Sequence, residues 1–167
     1  MNPVQLLAIR QLLFFSVEEA ARWVAVTPSQ PMGVEPALWR QWEDGSQALP
    51  AFVEEKLIDL LDFRLDAIEA ATEPLDDEEE DEDDEEAPLV ALWYGCLEDY
   101  TSLSGHEHVY WRPECSVVAE LIATFGADVV TFDRTRYQAW LERQSGLQDT
   151  QETRASWALE TVSAEED

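Results

Sequence analysis

The residues able to do chemistry are few, and most stand between positions 96 and 115. His106 and His108 flank Glu107, with Glu114 further on. In a strand, residues 106 and 108 share a face, which is the geometry of a weak metal site. A zinc site needs three or four firm ligands at known spacing, and the sequence supplies none, so the pair reads as surface histidines in a turn. Cys115 falls at the start of an apolar helix, a place where a thiol pKa can drop, but no base other than those histidines adjoins it. Asp99, Ser102, Ser104 and His106 are the residue types of a hydrolytic triad. Triads are assembled from separated segments around a strand-to-helix elbow, and no such elbow is present. A glycine-rich phosphate loop is missing as well. The expectation is a protein that is not an enzyme and uses no cofactor and no metal.

A different chemistry stands near position 40. Arg40 can read guanine bidentately and Gln41 adenine. Trp39 and Trp42 lie one turn apart, so one face of their helix is buried and Ala37, Arg40 and Gln41 point outward, joined by Ser29 and Gln30 from the preceding loop. The elements that must hold them are legible. Ser16 with Glu19 forms a capping box, and Val17, Ala20, Ala21 and Val24 then recur at i, i+3, i+4 and i+7. Pro36 suits the first turn of the next helix and Gly45 its end. Ala20, Val24, Trp39, Trp42 and Gly45 are thus the frame of a helix-turn-helix. Before it, Leu6, Ile9 and Leu13 mark a first helix, whose Arg10 reads as a phosphate contact or a solvated side chain. Residues 27–34, TPSQPMGV, make a longer connection than the usual three or four residues.

These motifs resemble a known family. Leu6-x-x-Ile9-Arg10-x-x-Leu13, Ser16-Val17-Glu18-Glu19-Ala20-Ala21, Trp39-x-x-Trp42-Glu43-x-Gly45 and Ala48-Leu49-Pro50 together look like the XRE-type (lambda-repressor-like) helix-turn-helix. More narrowly they are similar to the YdiL-like and anti-CRISPR-associated (Aca) repressor group. The resemblance covers residues 4–62 and, more weakly, 89–125. It implies a DNA-binding regulator whose second part, from the aromatic run at 89 to the Ser-Val-Val-Ala-Glu-Leu helix at 116–121, is a dimerisation domain. In the Aca repressors an arginine two residues before the first tryptophan contributes to recognition; the matching position here is Ala37.

Charge divides the chain. Of 167 residues 37 are acidic and 10 basic, a net −27, and twelve of the acidic ones fall within residues 73–87 with no basic residue among them. Like charges at helical spacing repel, so Asp76 to Glu86 is expected to be an extended linker between domains. The segments are then 1–72, the helix-turn-helix domain with a long final helix; 73–87, the linker; 88–144, a small α+β domain; and 145–167, an acidic polar tail expected to fray, with Trp157 as its docking residue. After Pro50 the long helix spaces Leu57, Leu61, Leu65 and Ile68 for a partner surface. Residues 89–94 and 128–132 read as strands, His108 to Trp111 as another, Leu97 to Leu103 as a helix, Val118, Leu121, Ile122 and Phe125 as one face of a helix after Pro113, and Asp133 as the cap of a last helix with Tyr137, Trp140 and Leu141.

The fold class expected is therefore mainly α with a small α+β part. Forty-six per cent apolar residues, including seven Trp, give ample core, while two cysteines fit a reducing cytoplasm rather than a disulfide framework. No apolar run reaches the length that spans a bilayer. The functional expectation is a homodimeric, cytoplasmic transcription regulator whose partners are double-stranded DNA and a second copy of itself. The alternative is an acidic protein–protein interaction module on the same scaffold, reaching a protein partner through the linker or the tail with weak or no DNA binding.

Overall fold

The structure is a computed structural model and describes residues 1–76 and 88–164, so most of the acidic run expected to be a linker lies outside the described residues. The chain is mainly helical with one two-stranded parallel sheet. It divides into two compact units, Met1–Ala67 with Arg112–Ser116, and Ile68–Trp111 with Val117–Asp167.

In the first unit, α1 spans Pro3–Leu12 behind a capping box of Asn2 and Gln5. It ends in a Schellman turn, where the Phe15 N–H donates to the Arg10 carbonyl and the Phe14 N–H to that of Gln11. The turn needs a left-handed residue, usually glycine, and here Phe14 takes it with φ 61°. Helix α2, Val17–Trp23, starts at the expected box of Ser16 and Glu19, and α3, Pro36–Glu43, starts at Pro36. Gly45 follows α3 with φ 77°. Trp39 and Trp42 are buried edge-to-face, ring centres 5.6 Å apart, against a core that includes Leu6, Leu13, Phe15, Ala20, Val24, Val53, Leu57 and Leu60.

Arg10 is neither a phosphate contact nor a solvated side chain. Its guanidinium donates to the Glu43 carboxylate and to the Phe15 carbonyl, and Trp39 Nε1 donates to the same carboxylate at 2.8 Å. The long helix α4, Ala51–Asp76, also departs from expectation. It buries Val53, Leu57, Leu60 and Arg64, while Leu61 is half-buried and Leu65 is 60% exposed. The buried stripe ends on an arginine, whose Nε donates to Ser116 Oγ at 3.2 Å, and an arginine does not register as apolar in a sequence pattern.

In the second unit β1, Val90–Trp93, pairs in parallel with β2, Asp128–Thr131, with Val90 opposite Asp128. Parallel strands need a long crossover. This one contains the four-residue helix α5, Leu97–Tyr100, shorter than the helix expected to reach Leu103. His108 to Trp111 is not a strand: His108–Tyr110 forms a 3-10 turn running into α6, Trp111–Phe125. Pro113 explains the difference, because it sits in the first turn of α6, where its missing N–H costs nothing, and its pull outweighs the strand preference of Val109 and Tyr110. On α6, Val118 and Leu121 are buried, but Ile122 and Phe125 are exposed.

Asp133 caps α7, Arg134–Leu141, as expected, but α7 is not the last helix. Residues expected to fray form α8, Gln151–Ser163, capped by Thr150. Its stripe of Thr153, Arg154, Trp157 and Ala158 is buried and packs on β1 and β2. Trp157 is the docking residue anticipated; Arg154 is the one missed. Its guanidinium, only 2% exposed, makes a two-pronged bond to Asp149 with both contacts at 2.8 Å, donates to Ser102 Oγ at 3.0 Å and Tyr94 OH at 3.3 Å, and lies 4.5 Å over the Phe132 ring.

Two outcomes follow. Trp42→Ala removes a large ring from the first unit's core, and circular-dichroism melts should show a loss of about 3–5 kcal/mol. His106, half-buried with its ring 4.4 Å from that of Tyr100, has its pKa lowered by burial, against a smaller opposing effect of its contact with the Tyr100 carbonyl. The folded state therefore binds this proton less readily than the unfolded chain, so the stabilising contribution is present above a pH of about 6.5 and is lost as pH falls below it. Melting temperature of the second unit should fall between pH 7 and pH 5, and His106→Phe should flatten that slope.

Candidate nucleic-acid interface

Helix α3 places its side chains by the burial of Trp39 and Trp42. With those two inward, Ala37, Arg40 and Gln41 are exposed on the other side, and Ser29 and Gln30 are exposed in the loop before it. The Arg10–Glu43–Trp39 bonds fix the rotation of the helix about its axis, and so fix which residues face out.

The loop has its own internal order. Thr27 and Gln30 exchange both backbone hydrogen bonds, at 3.2 and 3.0 Å, and the Ser29 and Thr27 hydroxyls are 3.1 Å apart. The chain then returns to α2, where the Val34 N–H donates to the Ala21 carbonyl at 2.9 Å. That approach is possible only because residue 33 is glycine. Its φ is 73°, and an added Cβ would stand 2.2 Å from the Ala21 oxygen and 2.7 Å from the Arg22 Cα. The long connection is thus a short two-bond turn followed by a close backbone crossing, with Met32 78% exposed at its outer edge.

Electrostatically the face differs from the chain as a whole. The exposed charged side chains of residues 17–42 are Glu18, Arg22, Glu35 and Arg40, which balance to zero in a chain of net −27. Arg40 Nη2 donates to Glu18 Oε1 at 2.6 Å, with the two side chains 56% and 62% exposed. Such a pair contributes about 0.2–1 kcal/mol and yields readily to a stronger anion. Arg22, in the last turn of α2, makes no ion pair among the described residues. Its neighbour Glu19 is committed elsewhere: burial alone would raise its pKa, but bonds from Arg112 and the Ser16 N–H outweigh this and hold the carboxyl below its ordinary value.

The other clusters are structural. Ser102 Oγ donates to the Asp99 carbonyl at 2.6 Å and accepts from Arg154, which occupies the hydroxyl as no nucleophile would be. The Cys115 thiol is pushed up to about 11 by burial, against the opposing effect of Arg112, so the helix start does not activate it. Among the described residues no group of three or more His, Cys, Asp or Glu could hold a metal ion.

Comparison with known proteins places the same part of the chain in a family. The model of the Aca2/YdiL-like family matches residues 1–130. The chain belongs to the Aca2/YdiL-like family. It is similar to the Aca2 repressor of Pectobacterium phage ZF40, 29% identical over 131 residues that make up 78% of this chain and the whole of the repressor. It is also similar to YdiL of Escherichia coli strain K12, 26% identical over 130 residues, 74% of this chain and 94% of that protein. Within the Aca2/YdiL-like match lie α1 to α6 and with them the α3 face, whereas α7 and α8 stand beyond its last residue.

Arg22 was missed in the sequence, although its position opposite the Val17, Ala20, Ala21 and Val24 stripe announces an outward side chain. The role of Glu43 was missed too, though it lies four residues after Trp39 and so one turn beyond it. A substitution tests the loop: Gly33→Ala should destabilise the first unit by about 1–3 kcal/mol from backbone strain alone, with the Cβ overlap adding to it, as read by thermal melts.

Proposed function

We propose that the chain is a homodimeric transcription regulator that binds double-stranded DNA through α3, with Arg40 and Gln41 reading bases, Ala37 close to the base edges, and Ser29 and Gln30 contacting from the loop. The single observation that supports this most is the exposed, locally neutral α3 face, set opposite two buried tryptophans in an otherwise acidic chain. A relative that is named a repressor agrees with it. Arg22 adds a phosphate contact at the flank of the same face. Two copies would present their α3 helices to successive major grooves, about one helical turn of DNA apart. The exposed apolar side chains Ile122, Phe125 and Val129 of the second unit support residues 88–144 as the dimerising part. No described helix is long and apolar enough to cross a membrane, in keeping with a cytoplasmic regulator.

The charge of −27 favours a second reading, an interaction module that meets a basic protein partner through the linker or the tail and binds DNA weakly or not at all. Titration separates the two. DNA fragments selected at low salt should bind the parent more tightly than random DNA. Arg40→Ala should cost about 1–3 kcal/mol at those fragments. Deleting Asp76–Glu86 should tighten binding most at low ionic strength, because salt screens the repulsion between carboxylates and phosphates. Sedimentation should give a dimer. If no fragment binds any of these proteins better than random DNA, the regulator reading fails and the interaction module stands in its place.

A further inference from the structure

Residues 23–34 include no charged side chain, although 28% of the chain is charged. The connection between α2 and α3 is thus neutral, and its exposed residues are partly apolar. Val26, Pro28, Pro31 and Met32 all face solvent, and Met32, at 78%, is the most exposed large apolar side chain among the described residues. One exposed apolar residue is ordinary, but four of them on one short charge-free loop make a surface. The loop is held without the Met32 side chain, by the Thr27–Gln30 pair, the Val34 bond to Ala21 and the close crossing at Gly33. That crossing sets Met32 one residue from the Arg22 backbone, since a Cβ on Gly33 would stand 2.7 Å from the Arg22 Cα. Met32 also stands four residues before Pro36, so even a fully extended chain keeps it within about 14 Å of the start of α3.

We infer that Met32 reads the C5 methyl group of a thymine in the major groove, at the edge of the α3 footprint. The inference rests on the reading that α3 contacts DNA. A thioether has no hydrogen to donate and accepts only weakly, so it neither reads the polar pattern of a base edge nor grips a phosphate. The major-groove edges of the bases carry one apolar group, the thymine methyl. An unbranched, polarisable side chain with three rotatable bonds adapts to such a contact, and burying one methyl-sized group is equivalent to about fourfold in affinity. The neutral loop suits the approach, because carboxylates in its place would be repelled by the phosphates that flank the groove. Successive base pairs are about 3.4 Å apart, so the thymine lies within about four base pairs of the bases under the first turn of α3. Insertion between base steps of the minor groove, the other use of an exposed methionine on DNA, would need the loop in the groove that α3 does not enter.

The test uses the full chain and a duplex selected for binding at low salt, in which each thymine in turn is replaced by deoxyuridine, a change that removes only the C5 methyl. For the parent, one such replacement in each half-site should weaken binding about fourfold. Met32→Ala should weaken binding to the unmodified duplex at least as much and become indifferent to that replacement, whereas Met32→Leu should keep most of the affinity. Arg40→Ala should bind more weakly yet stay sensitive to it. Thermal melts of the Met32 variants should match the parent, since the side chain is exposed. The inference is overturned if no thymine recurs within about four base pairs of the α3 contacts, or if no replacement weakens the parent. It is overturned in favour of a wedge contact if Met32→Ala loses the same factor on the thymine and deoxyuridine duplexes. In each of these cases a loss of affinity in Arg40→Ala leaves the α3 reading standing. If no duplex binds the parent better than random DNA, both fall together.

Discussion

One carboxylate sets the geometry of the first unit. Glu43 receives the Arg10 guanidinium and the Trp39 indole N–H, with the Arg10 and Glu43 side chains each only 11% exposed. Removing one partner from such a buried arrangement strands the other without a bond, which costs more than the bond's net contribution in the intact fold. The bonds tie α1 to α3 directly, and Arg10 also holds the Phe15 carbonyl at the turn into α2. Three helices are thus referenced to one side chain, and the orientation of α3 follows from it.

The second unit has a counterpart in Arg154. Two parallel strands of four residues each make a small sheet, one that needs cover to be stable. Helix α8 gives that cover, and Arg154 binds it through the Asp149 carboxylate, the Ser102 and Tyr94 hydroxyls and the faces of three aromatic rings. Asp149 is held below the ordinary carboxylate range, first by the hydrogen bonds of Arg154, against a smaller opposing effect of burial. In both units, then, arginines are structural parts of the interior, and this limits how many remain to meet a polyanion.

Much of this was legible in the sequence because local rules and tertiary packing agree there. The Ser16–Glu19 box, Pro36 and the Trp39–Trp42 pair each have a local meaning that the fold keeps. The parallel strands were readable as apolar runs, and Asp133 as a cap. Illegible were the places where a charged side chain does the work of a hydrophobic one. Arg64 completes the α4 stripe and Arg154 the α8 stripe, so a pattern that counts arginine as polar moves the first face to Leu61 and Leu65 and reads the second as a tail. Phe14 is a further instance: a left-handed residue ends α1 where glycine would be expected, and only backbone geometry reveals it. At the α3 face, exposure of Ala37, Arg40 and Gln41 was readable from spacing, whereas the Glu18 partner of Arg40 depends on how α2 and α3 pack.

The pairing of Arg112 with Glu19 joins residues 93 positions apart within the first unit. On a ribosome adding about 5–20 residues per second, Glu19 is made some 5–20 seconds before its partner. Over that interval the capping box can form, since Ser16 is adjacent, but the carboxylate has no guanidinium to meet. The nascent helices must therefore hold together without that ion pair, on the apolar core and the Arg10–Glu43 bonds, until the crossover of the second unit has been translated, which makes the order of synthesis part of how this compact unit is completed.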